Sequence, residues 1–172
     1  MSAEARLRRA GAEDAAAIAG ISVRTWHHAY ADFIDPRTLF ERTVEQQLPL
    51  WDERLAPDAD GEIWAAVVGG RLVAYTAVGP SGDGDATTAT GALRALYVDP
   101  PAQGAGLGAV LHDHAVDRLA ALGFPVATLW CFTKNDQARV FYERRGWELD
   151  PSGAGQEEPD WLDAAVRYRR IV

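Results

Sequence analysis

Gln103-Gly104-Ala105-Gly106-Leu107-Gly108 alternates glycine with small or apolar residues. No Cβ projects from the three glycines, so consecutive backbone N–H groups at the open end of a following helix can approach an anion closely. Phosphate is the natural guest. Each N–H bonded to a charged oxygen contributes roughly 1.5–3 kcal/mol, so several together can anchor a diphosphate even on a chain of net charge -8. The same glycines would also serve a purely structural end, a tight strand-to-helix turn with close helix packing. Asn135 and Tyr142 form a second constellation: seven residues apart, they fall two turns apart on one helix face. A phenol with an ordinary pKa of about 10 is protonated at neutral pH and can donate to a leaving group; as a structural residue, Tyr142 would be a core aromatic beside Phe141. Histidine is the side chain suited to proton transfer at physiological pH, so His27 and His28 are candidate bases. His112 and His114, two apart on a helix, face different ways, so no metal site is expected.

The elements that must position these groups follow from periodicity and punctuation. Arg6 to Arg9 reads as a strand leading to the helix-start acids Glu13 and Asp14. Ala17, Ile18, Ile21, Thr25 and Ala29 then recur as a buried helical stripe, with Trp26 and Tyr30 together on another face. Asp35-Pro36 and Thr43-x-x-Gln46 are helix starts, and Pro49 is expected to kink or split the second helix. Residues 62–68 and 71–78 are a strand pair turning at Gly69-Gly70. A third antiparallel strand ends at Leu96-Tyr97-Val98 and is stopped by Asp99-Pro100-Pro101. After the glycine turn, Leu107, Val110, Leu111, Ala115, Leu119 and Leu122 form one side of a long helix closed by Gly123. Val126 to Phe132 is a strand covered on both faces. Asn135 caps a helix running to Arg144-Arg145, and Trp147 to Leu149 and Ala164 to Ile171 make a final strand pair. The expected order is β, α, α, β, β, β, α, β, α, β, β, one mixed α/β sheet layered with helices and one domain over residues 1–172.

Composition bounds the function. Hydrophobic residues make up 48% and charged residues 24%, with 16 Gly and 9 Pro scattered without a period, which suits a packed fold rather than disorder, collagen or coiled coil. No uncharged run approaches the roughly 20 residues of a membrane span. The N-terminus has no secretory apolar core, and the single cysteine, Cys131, can form no internal disulfide, so a cytoplasmic location is expected. The acidic balance disfavours nucleic acid and favours cationic or amine-bearing partners. A dinucleotide oxidoreductase is a rival, because Gly104-x-Gly106-x-x-Ala109 fits that fingerprint. Context opposes it: Pro100 to Gln103 separate the strand from the glycines, and the next strand ends Phe132-Thr133-Lys134 without the required acid.

With Leu96-Tyr97-Val98-Asp99-Pro100 before the glycine turn and the run Asn135 to Trp147, NDQARVFYERRGW, after it, the chain resembles the GNAT superfamily of acyl-CoA-dependent N-acyltransferases. The likeness extends to the opening LRRAGAEDAAAIAGI and is least diagnostic between about Arg37 and Ala59. It implies a mostly antiparallel mixed sheet with a splayed parallel strand pair at the cofactor site. It also implies acetyl-CoA as co-substrate, its diphosphate on Gln103, Gly104, Ala105, Gly106, Leu107 and Gly108. Leu96 and Val98 would pair with the pantetheine arm, Asn135 would contact the cofactor, an N–H near Val98 would be the oxyanion donor, and Tyr142 would be the acid. The carboxylate that many relatives carry on the strand before the turn is missing from residues 92–98. The acceptor, a small-molecule or peptide amine, would meet Trp26, His27, Tyr30, Phe33 and the acidic loop Gln156 to Asp160, on a monomer or homodimer. A non-catalytic acyl-CoA-binding or sensing module is the alternative.

Overall fold

The computed structural model describes residues 5–153 and 165–172. Strand β1 (Arg6–Arg9) enters a short 3-10 turn and then helix α1 (Ala15–Tyr30). Asp14 fixes that junction: its carboxylate accepts from the Gly11 amide at 2.9 Å and from two Arg8 nitrogens at 2.7 and 2.8 Å. Asp35 caps α2 (Pro36–Glu41) by accepting from the Thr38 amide, and Thr43 and Gln46 form a reciprocal capping box at the start of α3 (Val44–Arg54). Each start signal opens its own helix, so the chain has one helix more than the expected order. Pro49 does not split α3. Burial of Trp51 and Leu55 beyond the proline offsets its cost of about 3 kcal/mol.

Strands β2 (Glu62–Val68), β3 (Arg71–Pro80) and β4 (Thr90–Val98) form the expected meander, followed by α4 (Leu107–Ala121), β5 (Val126–Phe132), α5 (Asp136–Glu143), β6 (Glu148–Leu149) and β7 (Ala165–Ile171). All seven strands join one sheet in the order β1-β2-β3-β4-β5-β7-β6, and β4–β5 is its parallel pair. Ile18, Ile21, Trp51, Leu55 and Tyr75 pack on one face, under α1 and α3. Leu111, Ala115 and Leu119 from α4 pack on the other, with Leu93, Leu129, Trp147 and Tyr168.

Two expected stripes are corrected. In α1, Ile18, Ile21 and Thr25 are buried and Ala29 half-buried, but Ala17 is exposed and Ala15, Ala19 and Ser22 are buried. The helix is covered by both the sheet and α3, which displaces and widens its buried arc. In α4 the buried row is Leu107, Leu111, Ala115 and Leu119, four apart, while Val110 and Leu122 face solvent. His112 lies inside instead, its Nε2 accepting from Trp147 Nε1 at 2.9 Å and its Nδ1 paired with Asp113 at 2.8 Å. The acceptor role of Nε2 leaves the proton on Nδ1. Burial lowers the pKa of this imidazole, with Asp113 pulling the other way.

The feature that shapes the site is a bulge. Ala77 pairs with Ala95 and Val78 with Leu93, so Arg94 is an extra residue on β4. The extra residue resets the side-chain alternation. Leu93 on one side of it, and Leu96 and Val98 on the other, thereby share the α4 face, while Ala95 and Tyr97 point to the α1–α3 core. Pairing between β4 and β5 covers only Thr90, Gly91 and Ala92, opposite Val126 to Thr128. Beyond this point the two strands part.

Candidate functional site

Asp99 anchors the chain where β4 hands over to the glycine turn. Its buried carboxylate accepts from Arg24 Nε and Nη2, both at 2.9 Å, with Arg71 at 3.5 Å. Its amide donates to Val73 O at 2.8 Å. Past Pro100, Gln103 is committed to the turn itself: its amide donates to Pro100 O at 3.2 Å and its Nε2 to Val98 O at 3.1 Å. Among the described residues, the amides of Gly104, Ala105, Gly106, Leu107 and Gly108 donate to no protein acceptor. The row of available donors thus starts at Gly104.

Gly104 and Gly106 have φ of +81° and +80°, and a Cβ added to either would meet nothing within 4 Å. The glycines are required here by backbone conformation, and the space in front of them is open. Gly106 is also the N-cap of α4, with no side chain satisfying the helix's first amides. Gly108 differs: a Cβ there would meet Phe141 and Val98 at 3.8 and 3.9 Å, ordinary contacts. An open arc of amides at a helix N-terminus fits the diphosphate expected from the sequence.

A cleft of about 390 Å³ lies between the splayed strands, lined by Leu93 to Tyr97 of β4, Leu129 to Phe132 of β5, Thr25, Ala29 and Tyr30 of α1, Asn135, Ala138 and Tyr142, and Ala165 of β7. The Asp99–Val73 bond sets the ladder phase with β3. In antiparallel alternation it makes Tyr97 a bonded partner of Tyr75 and turns the amides and carbonyls of Leu96 and Val98 toward β5. Since β5 has diverged there, Leu96 keeps both groups for an extended ligand. The Val98 carbonyl is occupied by Gln103 and by Thr25 Oγ1 at 3.3 Å, leaving its amide.

Asn135 and Tyr142, placed on one helix face by their spacing, both line the cleft, and Tyr30 of α1 joins them there. Desolvation raises the Tyr142 pKa, reinforced by Cys131 and Tyr97 nearby, so the phenol is held protonated. Tyr30 is raised by burial too, with the Asn135 side chain pulling the other way. Asn135 also caps α5 by accepting from the Ala138 amide at 3.1 Å. Burial pushes the Cys131 thiol up to about 11, so it is not a thiolate nucleophile at neutral pH.

Trp26 and His27 do not line the cleft. Trp26 lies behind it in an aromatic cluster, 4.6 Å from Tyr30 and 5.6 Å from Phe132, ring centre to ring centre, while His27 turns toward Phe40. Phe33 packs on Tyr30 at 5.3 Å, His28 is exposed, and the loop Gln156 to Asp160 lies outside the described residues. Among the described residues the cleft is lined by no carboxylate and no imidazole. Thr25, Tyr97, Cys131 and the anchoring Asp99–Arg24 pair are site features that the sequence did not signal. Asp99 before two prolines reads as a strand stop, and its partner is 75 residues away.

Comparison with known proteins agrees with this geometry. The model of the acetyltransferase (GNAT) family matches residues 20–147. The Mycobacterium tuberculosis protein named Probable N-acetyltransferase Rv2775 is 28% identical over 149 residues, 84% of this chain and 80% of its own length. Mycothiol acetyltransferase of Beutenbergia cavernae is 46% identical over 59 residues, 34% of this chain and 20% of its own length. In fold, the chain is similar to PaiA N-acetyltransferase of Thermoplasma acidophilum, solved in complex with coenzyme A. That match has a TM-score of 0.76 at 14% identity, covering 98% and 99% of the two chains. It is also similar to Salmonella typhimurium YncA, solved with its cofactor acetyl-CoA, with a TM-score of 0.69 at 21% identity, covering 98% and 94%.

Proposed function

The chain belongs to the GNAT acetyltransferase family, and from that premise we propose that it moves the acetyl group of acetyl-CoA directly to a primary amine, with Tyr142 as the proton donor to the departing thiolate. The observation that carries this reading is the pairing of an open amide arc, Gly104 to Gly108, with a cleft between the parted strands β4 and β5 that is lined by a protonated tyrosine. The arc holds the diphosphate. The Leu96 amide and carbonyl align the pantetheine arm as an added strand would. The acetyl thioester then lies among Cys131, Asn135 and Tyr142.

Attack needs an unprotonated amine, a donor for the charge that develops on the thioester oxygen, and a proton for sulfur. The cleft-facing β4 amide at Val98 supplies the donor. Tyr142 supplies the proton without first acquiring one, since burial and its neighbours suppress its ionisation. Cys131, held as a thiol, takes no acetyl group, so transfer is direct and proceeds through a ternary complex. With no lining carboxylate or imidazole among the described residues, the amine gives up its proton to water before it enters.

An amine panel with acetyl-CoA, read by release of free thiol, tests this function. Turnover with at least one amine, without a burst of acetylated protein, is the expected result. The absence of a lining base also favours a second reading, a module that binds acyl-CoA without turnover. Tight coenzyme A binding by calorimetry with no thiol release across the panel would select it, and no binding at all would refute both.

A further inference from the structure

Beside the cleft, on the α1–α3 side of the sheet, two arginines have no carboxylate partner among the described residues. Arg42 touches only Ser22 Oγ, at 3.4 Å, and the face of Trp26, 4.2 Å from the ring centre, and its Nε is fully buried without a hydrogen bond. Arg54 lies 5.1 Å over Trp51 and, among the described residues, donates to no carboxylate. Arg94, which lines the cleft, stands in contrast: it is taken by Asp60 at 2.7 Å and by Pro80 O. Arg24 is likewise taken by Asp99.

Both guanidinium groups connect to the cleft wall through short chains of contacts. Trp51, under Arg54, sits 5.2 Å from Tyr75, and Tyr75 sits 5.4 Å from Tyr97, which lines the cleft. Ser22, under Arg42, is one helical turn from Thr25, which also lines it. Arg42 and Arg54 both act electrostatically on Tyr75 and on Tyr97, and Arg42 disfavours the charge of Arg54. Arg54 is desolvated, which lowers its pKa, yet its side chain stays accessible, as expected of a group lining a concavity. Tyr75 is fully buried and kept protonated by desolvation, with the Ser22 side chain pulling the other way, while Arg42 Nε is buried without a partner. A buried guanidinium nitrogen left unpaired is costly unless an anion joins the group.

We propose that Arg42 and Arg54 receive a carboxylate of the acceptor, so that the amine acetylated belongs to a molecule that also bears an acid, such as a free amino acid or a short peptide with a free C-terminus. This inference rests on the acetyltransferase reading. Planar, forked guanidinium groups match a carboxylate in two-point contacts. The expectation from net charge alone, a cationic acceptor, is reversed locally, much as the amide arc accepts phosphate on an acidic protein.

The test pairs acceptors that differ only in the acid: dipeptides with a free C-terminus against the same dipeptides as amides, with aminoethyl phosphate as the phosphate counterpart and spermidine as the cationic one. Free acids are expected to exceed their amides in kcat/KM by about tenfold or more. Arg54→Gln should erase that gap through KM while kcat holds, and Arg54→Lys should restore part of it. Unchanged affinity of the variants for coenzyme A reports that they are folded. A second readout needs no turnover: N-acetylalanylalanine should raise the Tm of the wild-type protein but not of Arg54→Gln, and its amide should raise neither. Equal behaviour of acids and amides in both readouts, or preference for spermidine, overturns the proposal, and preference for aminoethyl phosphate overturns the carboxylate assignment. If no amine is acetylated, the acetyltransferase reading fails, and the Tm difference still decides whether the two arginines bind a carboxylate.

Discussion

Replacing Gly106 by alanine separates the role of the glycine turn in binding from its role in folding. At φ +80° an L-residue pays roughly 1–2 kcal/mol. For a chain of this length about 1 kcal/mol lowers Tm by roughly 2–4 °C, so Gly106→Ala should melt about 2–8 °C lower. The added methyl points into open space, with no protein atom within 4 Å, which is where the diphosphate is placed. Loss of even one charge-assisted amide bond, roughly 1.5–3 kcal/mol, weakens coenzyme A by about tenfold to a hundredfold. Gly108→Ala is the internal control, because its methyl meets only ordinary contacts at 3.8 Å and no strained φ applies. Calorimetry with coenzyme A and a melting curve on both variants suffice. If Gly106→Ala melted lower yet bound coenzyme A as tightly as the wild type, the turn would be a structural corner and not a phosphate cradle.

Tyr142→Phe should lower kcat by about 10²–10⁴ with coenzyme A affinity unchanged, and an effect under twofold in kcat would remove the acid assignment. Because no imidazole or carboxylate lines the cleft among the described residues, kcat/KM should rise with pH up to the acceptor amine's own pKa. Acceptors of different basicity should shift the inflection in step, and a fixed inflection near about 6.5 would point to an enzyme histidine instead. Burial lowers the pKa of both His112 and His114, so below their unfolded value near 6.5 the unfolded chain binds more protons than the folded one. Urea midpoints should therefore be flat above about pH 6.5 and fall on acidification below it. A midpoint that holds or rises between about pH 6.5 and 5 would contradict this balance.

Much of this site was legible because its signals are local. Gly104, Gly106 and Gly108 sit beside one another in sequence, and Asn135 and Tyr142 are tied by helix pitch, so type and spacing carried their placement. The cleft itself was expected only by resemblance, since its cause is one extra residue. Arg94 has no property that marks it as a bulge, and the bulge exists only in its register against Ala77 and Val78. Long-range partners were equally silent. His112 reads as a polar helix position until Trp147, 35 residues on, turns it inward, and that exchange is why Val110 and Leu122 lie outside the core. The family resemblance grouped Trp26 and His27 with the acceptor, but helix geometry sends His27 toward Phe40 and Trp26 behind the cleft. Arg42 and Arg54 lie in the least diagnostic stretch of the sequence, and only their want of carboxylates among the described residues sets them apart.

The most direct measurement is a titration of isotopically labelled protein with acetyl-CoA, following backbone amide resonances. Those of Gly104, Gly106 and Gly108 should move furthest, as charge-assisted bonds form, with Leu96 and Val98 moving alongside them. Binding that left the three glycine amides in place while shifting resonances elsewhere would contradict the account.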